Sequence, residues 1–315
     1  MELFILLILF FMSFITTYWS IPIYIRKFSK NNFVVPDKYK NDKLVPTLGG
    51  MAILGGILVS LILAIFLVKS VENLLIFYFI VFIFATFGIL DDLVNVGRTL
   101  KIFAPFFMAL PIALLVSDTI VAIPFIGKVN FFYFFAFIMA PLFVMVIANL
   151  VNMHSGFNGL QSGLSLIVIF FIIIRVFMMQ NYENLLYIIP IFGALLAFYL
   201  FNKYPSKMFE GNAGSLSIGA AIGGFCVLQD NMEFFLIFLF IPHIVNFLLY
   251  IYWRVKKVNA SKFGRLREDG TIEVPNPLTL KWVIPYYWRV TEKQATYAMY
   301  GVTTLFGIAG LFLIK

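Results

Sequence analysis

Leu74-Leu75-Ile76-Phe77-Tyr78-Phe79-Ile80-Val81-Phe82-Ile83-Phe84-Ala85-Thr86-Phe87-Gly88-Ile89-Leu90 runs for seventeen residues without a charge and then meets Asp91-Asp92. An apolar run of this length is what a helix needs to enter a hydrocarbon core about 30 Å thick. Adjacent carboxylates at the end of such a run stand near a low-dielectric boundary. Their charge is costly there unless a cation or strong donors neutralise it. Lys101, nine residues beyond Asp92, is one such partner in reach of the sequence.

The pattern of this stretch repeats along all 315 residues, which are 62% hydrophobic and 12% charged. A soluble domain carries about 25% charged residues, and the mean hydropathy of +0.98 points the same way. The fold expected is an all-α polytopic membrane protein with about ten transmembrane helices. The apolar runs are residues 2–25, 49–68, 74–90, 102–117, 131–151, 164–178, 185–201, 214–229, 234–253 and 294–314. Two of them, 102–117 and 214–229, are short and carry Pro105, Pro111, Gly219, Gly223 and Gly224; they are expected to tilt, break or enter the membrane only partly. The first run has no basic start and no small-residue cleavage site, so it is expected to be a retained helix. Cys226, the single cysteine, sits inside an apolar run and reads as a packing residue. The chain reads as one integral membrane domain, 1–315, with a loop insert at 254–293.

With ten crossings, the loops at 26–48, 91–101, 202–213 and 254–293 fall on one side and hold 19 of the 23 Lys and Arg residues. By the positive-inside rule that side is cytoplasmic and both termini face the other way. The membrane is the cell membrane or an endoplasmic-reticulum-like one. No array of basic and aromatic residues suggests a nucleic-acid partner.

Five clusters with chemical potential fall on the same side. Asp91-Asp92 offers hard oxygen ligands, and Mg²⁺ usually takes one or two carboxylates while keeping waters and substrate phosphates; a plain ion pair with Lys101 or Arg98 is the bland alternative. Asn149 to Gly163 interrupts two apolar runs with amides and three glycines, suited to a neutral metal ligand or a hydrogen-bonding edge, or simply to a connecting loop. His154 within it reads as a loop or packing histidine. Gly211-Asn212-Ala213-Gly214-Ser215 opens an apolar helix, a ready place for an anion, with Ser215 read as a cap. Phe209 just before it could stack on a base or anchor the interface. The fourth is Pro46-Thr47-Leu48-Gly49-Gly50, and the fifth is the loop from Arg254 to Lys293. The last loop, about forty residues, exceeds ordinary connector length. Arg265 to Val274 alternates around Asp269-Gly270 and predicts a small β-hairpin. Lys281 to Arg289, with Trp282, Tyr286, Tyr287 and Trp288, predicts an amphipathic stretch lying on the surface.

These residues carry a resemblance. Leu90-Asp91-Asp92-Leu93-Val94-Asn95, Asn152 with Gly156-Phe157-Asn158-Gly159-Leu160-Gln161-Ser162-Gly163, Phe209 with Gly211-Asn212, and Pro242 with Asn246-Phe247-Leu248 follow one another as in a known family. The chain resembles the polyprenyl-phosphate N-acetylhexosamine-1-phosphate transferases, and is most similar to the dolichyl-phosphate N-acetylglucosamine-1-phosphotransferase branch. The resemblance implies a ten-helix fold. It also implies an Mg²⁺-dependent enzyme, with Mn²⁺ as a substitute, that transfers N-acetylhexosamine-1-phosphate from a UDP-sugar to a polyprenyl or dolichyl phosphate and releases UMP, the first step of lipid-linked glycan assembly. N-acetylglucosamine is the sugar usual in that branch. Asn152, Asn212 and Asp92 would hold the metal, and Asn158 would read the uracil edge while Phe209 stacks on the ring. Lys101 would meet phosphate, and Lys262 to Arg265 resembles the family's basic segment over the pyrophosphate and sugar. Asp91 and Asp92 would be its paired catalytic acids. The partners are the two substrates, the membrane lipids and, in a homodimer, a second copy.

The chain departs from the family at Asn212, where an aspartate is usual; the loss of one charge leaves weaker metal binding or compensation by Glu210 as the two outcomes. The bacterial branch's histidine cluster is missing from the last loop, His243 being solitary in sequence. An acceptor phosphate with a second pKa near 6 is largely ionised at neutral pH, so repulsion between anions is the main obstacle. Asp91 and Asp92 are therefore read first as metal- or phosphate-organising groups and second as a general base. A secondary transporter and a noncatalytic lipid-binding subunit are the rival readings. Transport would favour acids at the midplane and repeated halves, and neither is visible.

Overall fold

The computed structural model describes residues 2–94, 96–123, 126–229, 232–258, 261 and 263–314. The chain forms α1 (Glu2–Lys30), a hairpin of β1 (Val34–Asp37) and β2 (Lys43–Pro46), α2 (Gly50–Leu67), α3 (Glu72–Val94) and α4 (Arg98–Ala109), which tightens into a 3₁₀ turn over Leu110–Leu114. A second hairpin, β3 (Ile120–Ile123) and β4 (Gly127–Asn130), precedes the short α5 (Phe132–Phe134), which runs through a π-helical turn into α6 (Ala140–Met153). Then come α7 (Leu160–Met178), α8 (Leu185–Asn202), α9 (Gly211–Val227), α10 (Glu233–Leu239), α11 (Ile241–Val255), β5 (Arg265–Leu266), β6 (Ile272–Glu273), α12 (Leu280–Tyr287) and α13 (Glu292–Leu313).

Seven helical stretches among the described residues are long and apolar enough to cross a membrane: Leu3–Lys30, Gly50–Leu67, Glu72–Val94, Phe132–Met153, Leu160–Met178, Tyr182–Asn202 and Glu292–Leu313. The pair α10 and α11 makes an eighth if it is one span bent by 61°. The chain is thus a polytopic, mostly helical membrane protein. The difference from ten full spans lies in the two short runs. The first is the helix Thr99–Leu114 and the second is α9, whose 17 residues rise only about 26 Å.

The composition of α9 explains why it can be short. Every residue from Ala213 to Val227 is buried, because α3 lies along one flank and α6 along another. Its wall is protein and not lipid. Glycines set the spacing: a Cβ on Gly219 would stand 2.6 Å from Ala148 Cα in α6, and one on Gly223 3.0 Å from Val144 Cα. Small residues let membrane helices approach closely enough for dispersion to hold them. Around this centre, α1 packs on α2 and α8, fastened by Ser60 donating to the Leu9 carbonyl at 3.0 Å and Thr17 to that of Ala52 at 3.3 Å.

The last loop contains the paired strands expected from its alternation. Arg265 faces Glu273 and Leu266 faces Ile272, with Gly270 at φ +78° in the turn, a conformation that glycine adopts without penalty. In α12, Trp282 is 1% exposed and packs on Trp253 at 5.6 Å, while Tyr286, Tyr287 and, just past the helix, Trp288 are exposed. Trp282 therefore belongs to the interior and not to the outward aromatic row expected of Lys281 to Arg289.

Candidate active site

α3 ends, α9 begins and α6 ends at the same end of the bundle. Asp91, one residue earlier on α3 than Asp92, is turned inward and 5% exposed. Its Oδ1 accepts from Lys101 Nζ at 2.7 Å and from the Val96 amide at 3.0 Å, and its Oδ2 from Asn212 Nδ2 at 2.9 Å. Asp92 is turned toward the start of α9, where its carboxylate accepts from the Asn212 amide at 2.9 and 3.1 Å and from the Ala213 amide at 3.4 Å. The first free amides of a helix and its positive end favour a carboxylate here. The anion expected at this helix start is thus a side chain of the protein itself. Gly211, at φ +74°, makes the approach feasible, since a Cβ there would lie 2.6 Å from Asp92 Oδ2.

Ser215 does not cap α9. Lying past the free amides, it donates instead to Asn152 Oδ1 at 2.8 Å, with the Gly211 and Asn212 carbonyls as longer alternative acceptors at 3.2 and 3.3 Å. One turn of α9 therefore joins Asp92 to Asn152. Both line a cleft of about 380 Å³ together with Asn158, Phe209, Glu210 and Asn212. The far wall comes from the first hairpin, through Asp37, Lys38, Tyr39 and Thr47, and from Phe263.

Asn158 is 3% exposed and fully engaged. Its Nδ2 donates to Asp37 Oδ2 at 3.0 Å, its Oδ1 accepts from the Ser206 amide at 2.7 Å, and its own amide donates to Glu292 Oε1 at 2.6 Å. Glu292 in turn is paired with Lys40. The carboxamide thus stitches the hairpin, the α6–α7 turn and the segment before α9 into one wall. Lys101 is held by Asp91 and, like Asp91, is not part of the cleft lining. Arg265 is exposed on β5 and also outside that lining. Lys262 lies outside the described residues.

Glu210 is 3% exposed, and neither carboxyl oxygen has a hydrogen-bond partner among the described residues. Burial pushes its pKa up to about 8. Lys281 donates to the Ser155 carbonyl, and lies near the Phe157 ring at 5.5 Å. It stands directly behind Gly156, whose φ is +106°. Burial pushes its pKa down to about 8, with Glu292 opposing the shift. His154 and His243 meet edge to face at 4.7 Å. Burial holds His154 well below the usual imidazole range, with its neighbours His243 and Lys281 adding to the effect. Neither that pairing nor the roles of Asp37, Lys40 and Glu292 had a local signal, because the partners are far apart in the chain.

Among the described residues no three Asp, Glu, His or Cys side chains gather closely enough to hold a metal by themselves. The donors around Asp92 are carboxamides. Asn212 uses Nδ2 on Asp91, leaving Oδ1 as its acceptor, and Asn152 lines the cleft with an Oδ1 that accepts from Ser215 and keeps a second lone pair. One carboxylate with neutral oxygens suits a hard cation that keeps waters and phosphate oxygens in its other positions.

Residues 74–230 match the model of glycosyl transferase family 4. A protein of Saccharolobus solfataricus is 33% identical over 98% of this chain and 95% of its own length. The chain belongs to glycosyl transferase family 4. That relative carries the provisional name UDP-N-acetylglucosamine–dolichyl-phosphate N-acetylglucosaminephosphotransferase, as does one of Sulfolobus acidocaldarius, 31% identical over 95% of this chain and 92% of the relative. A phospho-N-acetylmuramoyl-pentapeptide-transferase of Carboxydothermus hydrogenoformans is 27% identical over 67% of this chain and 70% of its own. The family segment runs from α3 through α9 and so includes Asp91, Asp92, Asn152, Asn158, Phe209 and Asn212; Arg265 lies beyond it.

Proposed function

We propose that this family 4 enzyme transfers N-acetylglucosamine-1-phosphate from its UDP-sugar to a polyprenyl or dolichyl phosphate and releases UMP. The observation that carries the reading is the convergence of Asp92, Asn152, Asn212 and Phe209 on one cleft at a helix end. The relatives' names support both substrates. Asp91 and Asp92 end α3, away from the mid-helix position a carrier would favour, and membership in a transferase family speaks against a noncatalytic subunit.

Asp92, Asn152 and Asn212 would hold a divalent cation, Mg²⁺ or Mn²⁺, which when bound supplies positive charge to the donor diphosphate. The chain's own residues do the rest. Phe209 offers a half-buried ring to a base. The α9 amides hold Asp92 in one orientation, so that no reorganisation of the carboxylate is needed during transfer. Lys101 neutralises Asp91, which leaves Asp92 as the anionic member facing the cleft. Lys281 is outside the cleft lining, but standing directly behind Gly156, which lines it, it would add positive charge from behind the wall where departing UMP would lie. Asn158 acts here as a wall-builder, and reading of the uracil edge passes to the backbone around it. We further read α4 and α9 as the remaining two membrane elements of a ten-helix plan, with the cleft end cytoplasmic and both termini opposite.

The test is UMP release by purified protein given UDP-N-acetylglucosamine. We expect release that requires polyprenyl phosphate and stops with a chelator. Release that ignores the lipid would refute the reading.

A further inference from the structure

The end of the bundle remote from the cleft has a second concavity. Gly211 and Val227 bound α9, so at 1.5 Å per residue its two ends lie about 24 Å apart. Beyond the far end, Asn73, Ser117, Asn181, Asn184, Tyr187 and Gln229 surround a cavity of about 280 Å³.

Gln229 organises this chamber. It is 3% exposed, and its Oε1 accepts from Asn184 Nδ2 at 2.7 Å and from Asn181 Nδ2 at 3.4 Å. Its Nε2 has no partner among the described residues. A buried donor left unpaired is costly, which makes it a place where a ligand acceptor is gained at no loss. Among the described residues the chamber's lining holds no charged side chain, so the chamber itself offers a phosphate or carboxylate no counter-ion. Carboxamides donate and accept side by side, which matches neighbouring hydroxyls. Tyr187 adds an aromatic face suited to the C–H side of a sugar ring.

A second cavity, of about 500 Å³, shares Asn73, Asn184 and Tyr187 with the first and continues along Ile5, Leu6, Leu67 and Leu186. Lys69 and Glu183 at its lining have opposite signs. An amide-lined chamber thus adjoins a larger cavity that has polar and charged residues on one part and an apolar side along Ile5, Leu6, Leu67, Val68 and Leu186 on the other. We propose that the adjoining cavities bind a lipid with an uncharged, hydroxyl-rich head such as a single hexose, the head among the amides and a chain along the apolar side.

The test uses the full chain in detergent, with monoglucosyl diacylglycerol, phosphatidylglycerol of the same acyl chains, and methyl β-glucoside as probes, read by native mass spectrometry and thermal shift. Wild type should hold the glucosyl lipid at least about tenfold more tightly than phosphatidylglycerol. Gln229→Leu should reduce that affinity about tenfold and Asn73→Leu, on an exposed side chain, about threefold, while activity at the distant cleft is unchanged. Stabilisation by methyl β-glucoside as strong as by the lipid supports the amide chamber and assigns it a free sugar. Equal retention of the two lipids by wild type overturns the proposal, as does glucosyl-lipid binding undiminished in Asn73→Leu. These two readings decide the matter even if Gln229→Leu does not fold.

Discussion

Asp91 and Asp92 look equivalent in sequence but have different surroundings in the fold. A helix turns about 100° per residue, which sends Asp91 to Lys101 and Asn212 Nδ2 and Asp92 to the α9 amides and the cleft. Asp92→Asn should keep the fold, since an amide oxygen still accepts from the Asn212 N–H, yet lower transfer by about 100-fold or more. Steady-state rates together with thermal midpoints check this, and a wild-type rate in the variant would refute the assignment. Lys281 gives a pH dependence. Its pKa is lowered to about 8, so the side chain is charged below that value and neutral above it. KM for the UDP-sugar should therefore rise as pH climbs from about 7 to about 9. Lys281→Arg, charged throughout, should flatten the profile, and an unchanged inflection in that variant would exclude Lys281 as its source.

At the scale of elements, the stability of the molecule rests on how closely α9 can be approached. Gly219→Leu would force α9 away from Ala148 and should cost about 1–3 kcal/mol in a detergent unfolding series. Gly301→Leu, with open space around it, should be near neutral. Equal midpoints for the two variants would contradict the packing account. The long apolar runs were legible because lipid demands uninterrupted hydrophobicity. The shortness of α9 was visible as Gly219, Gly223 and Gly224, but its burial on all sides depends on neighbours that no local pattern names. The first hairpin went unread although Asn41 and Asp42, both in the left-handed region at φ +53° and +56°, are residues that favour such turns. Its Pro36 and Pro46 obscured the strand signal. The contact of His154 with His243 spans 89 positions and had no sequence signal at all.

Across the whole molecule, the convergence of the charged and amide-rich helix ends was legible from the alternation of apolar runs with basic loops, because each crossing reverses the chain. Assignment of roles within that end was less so. Asn158 and Lys101 carry the right chemistry for substrate, yet their partners Asp37, Ser206 and Asp91 are set by tertiary packing. The sidedness of the cleft is testable by labelling. In a Cys226→Ser background, Lys207→Cys should react with a membrane-impermeant maleimide in inverted vesicles and not in right-side-out ones, and the reverse pattern would turn the enzyme over. Transfer itself is tested most directly with UDP-N-acetylglucosamine carrying ³²P at the β-phosphorus, polyprenyl phosphate and Mg²⁺. Movement of the label into the organic phase, abolished by Asp92→Asn, is the predicted result; label that stays in water as UDP while the sugar moves would mean that the bond broken is not the one this cleft is built to break.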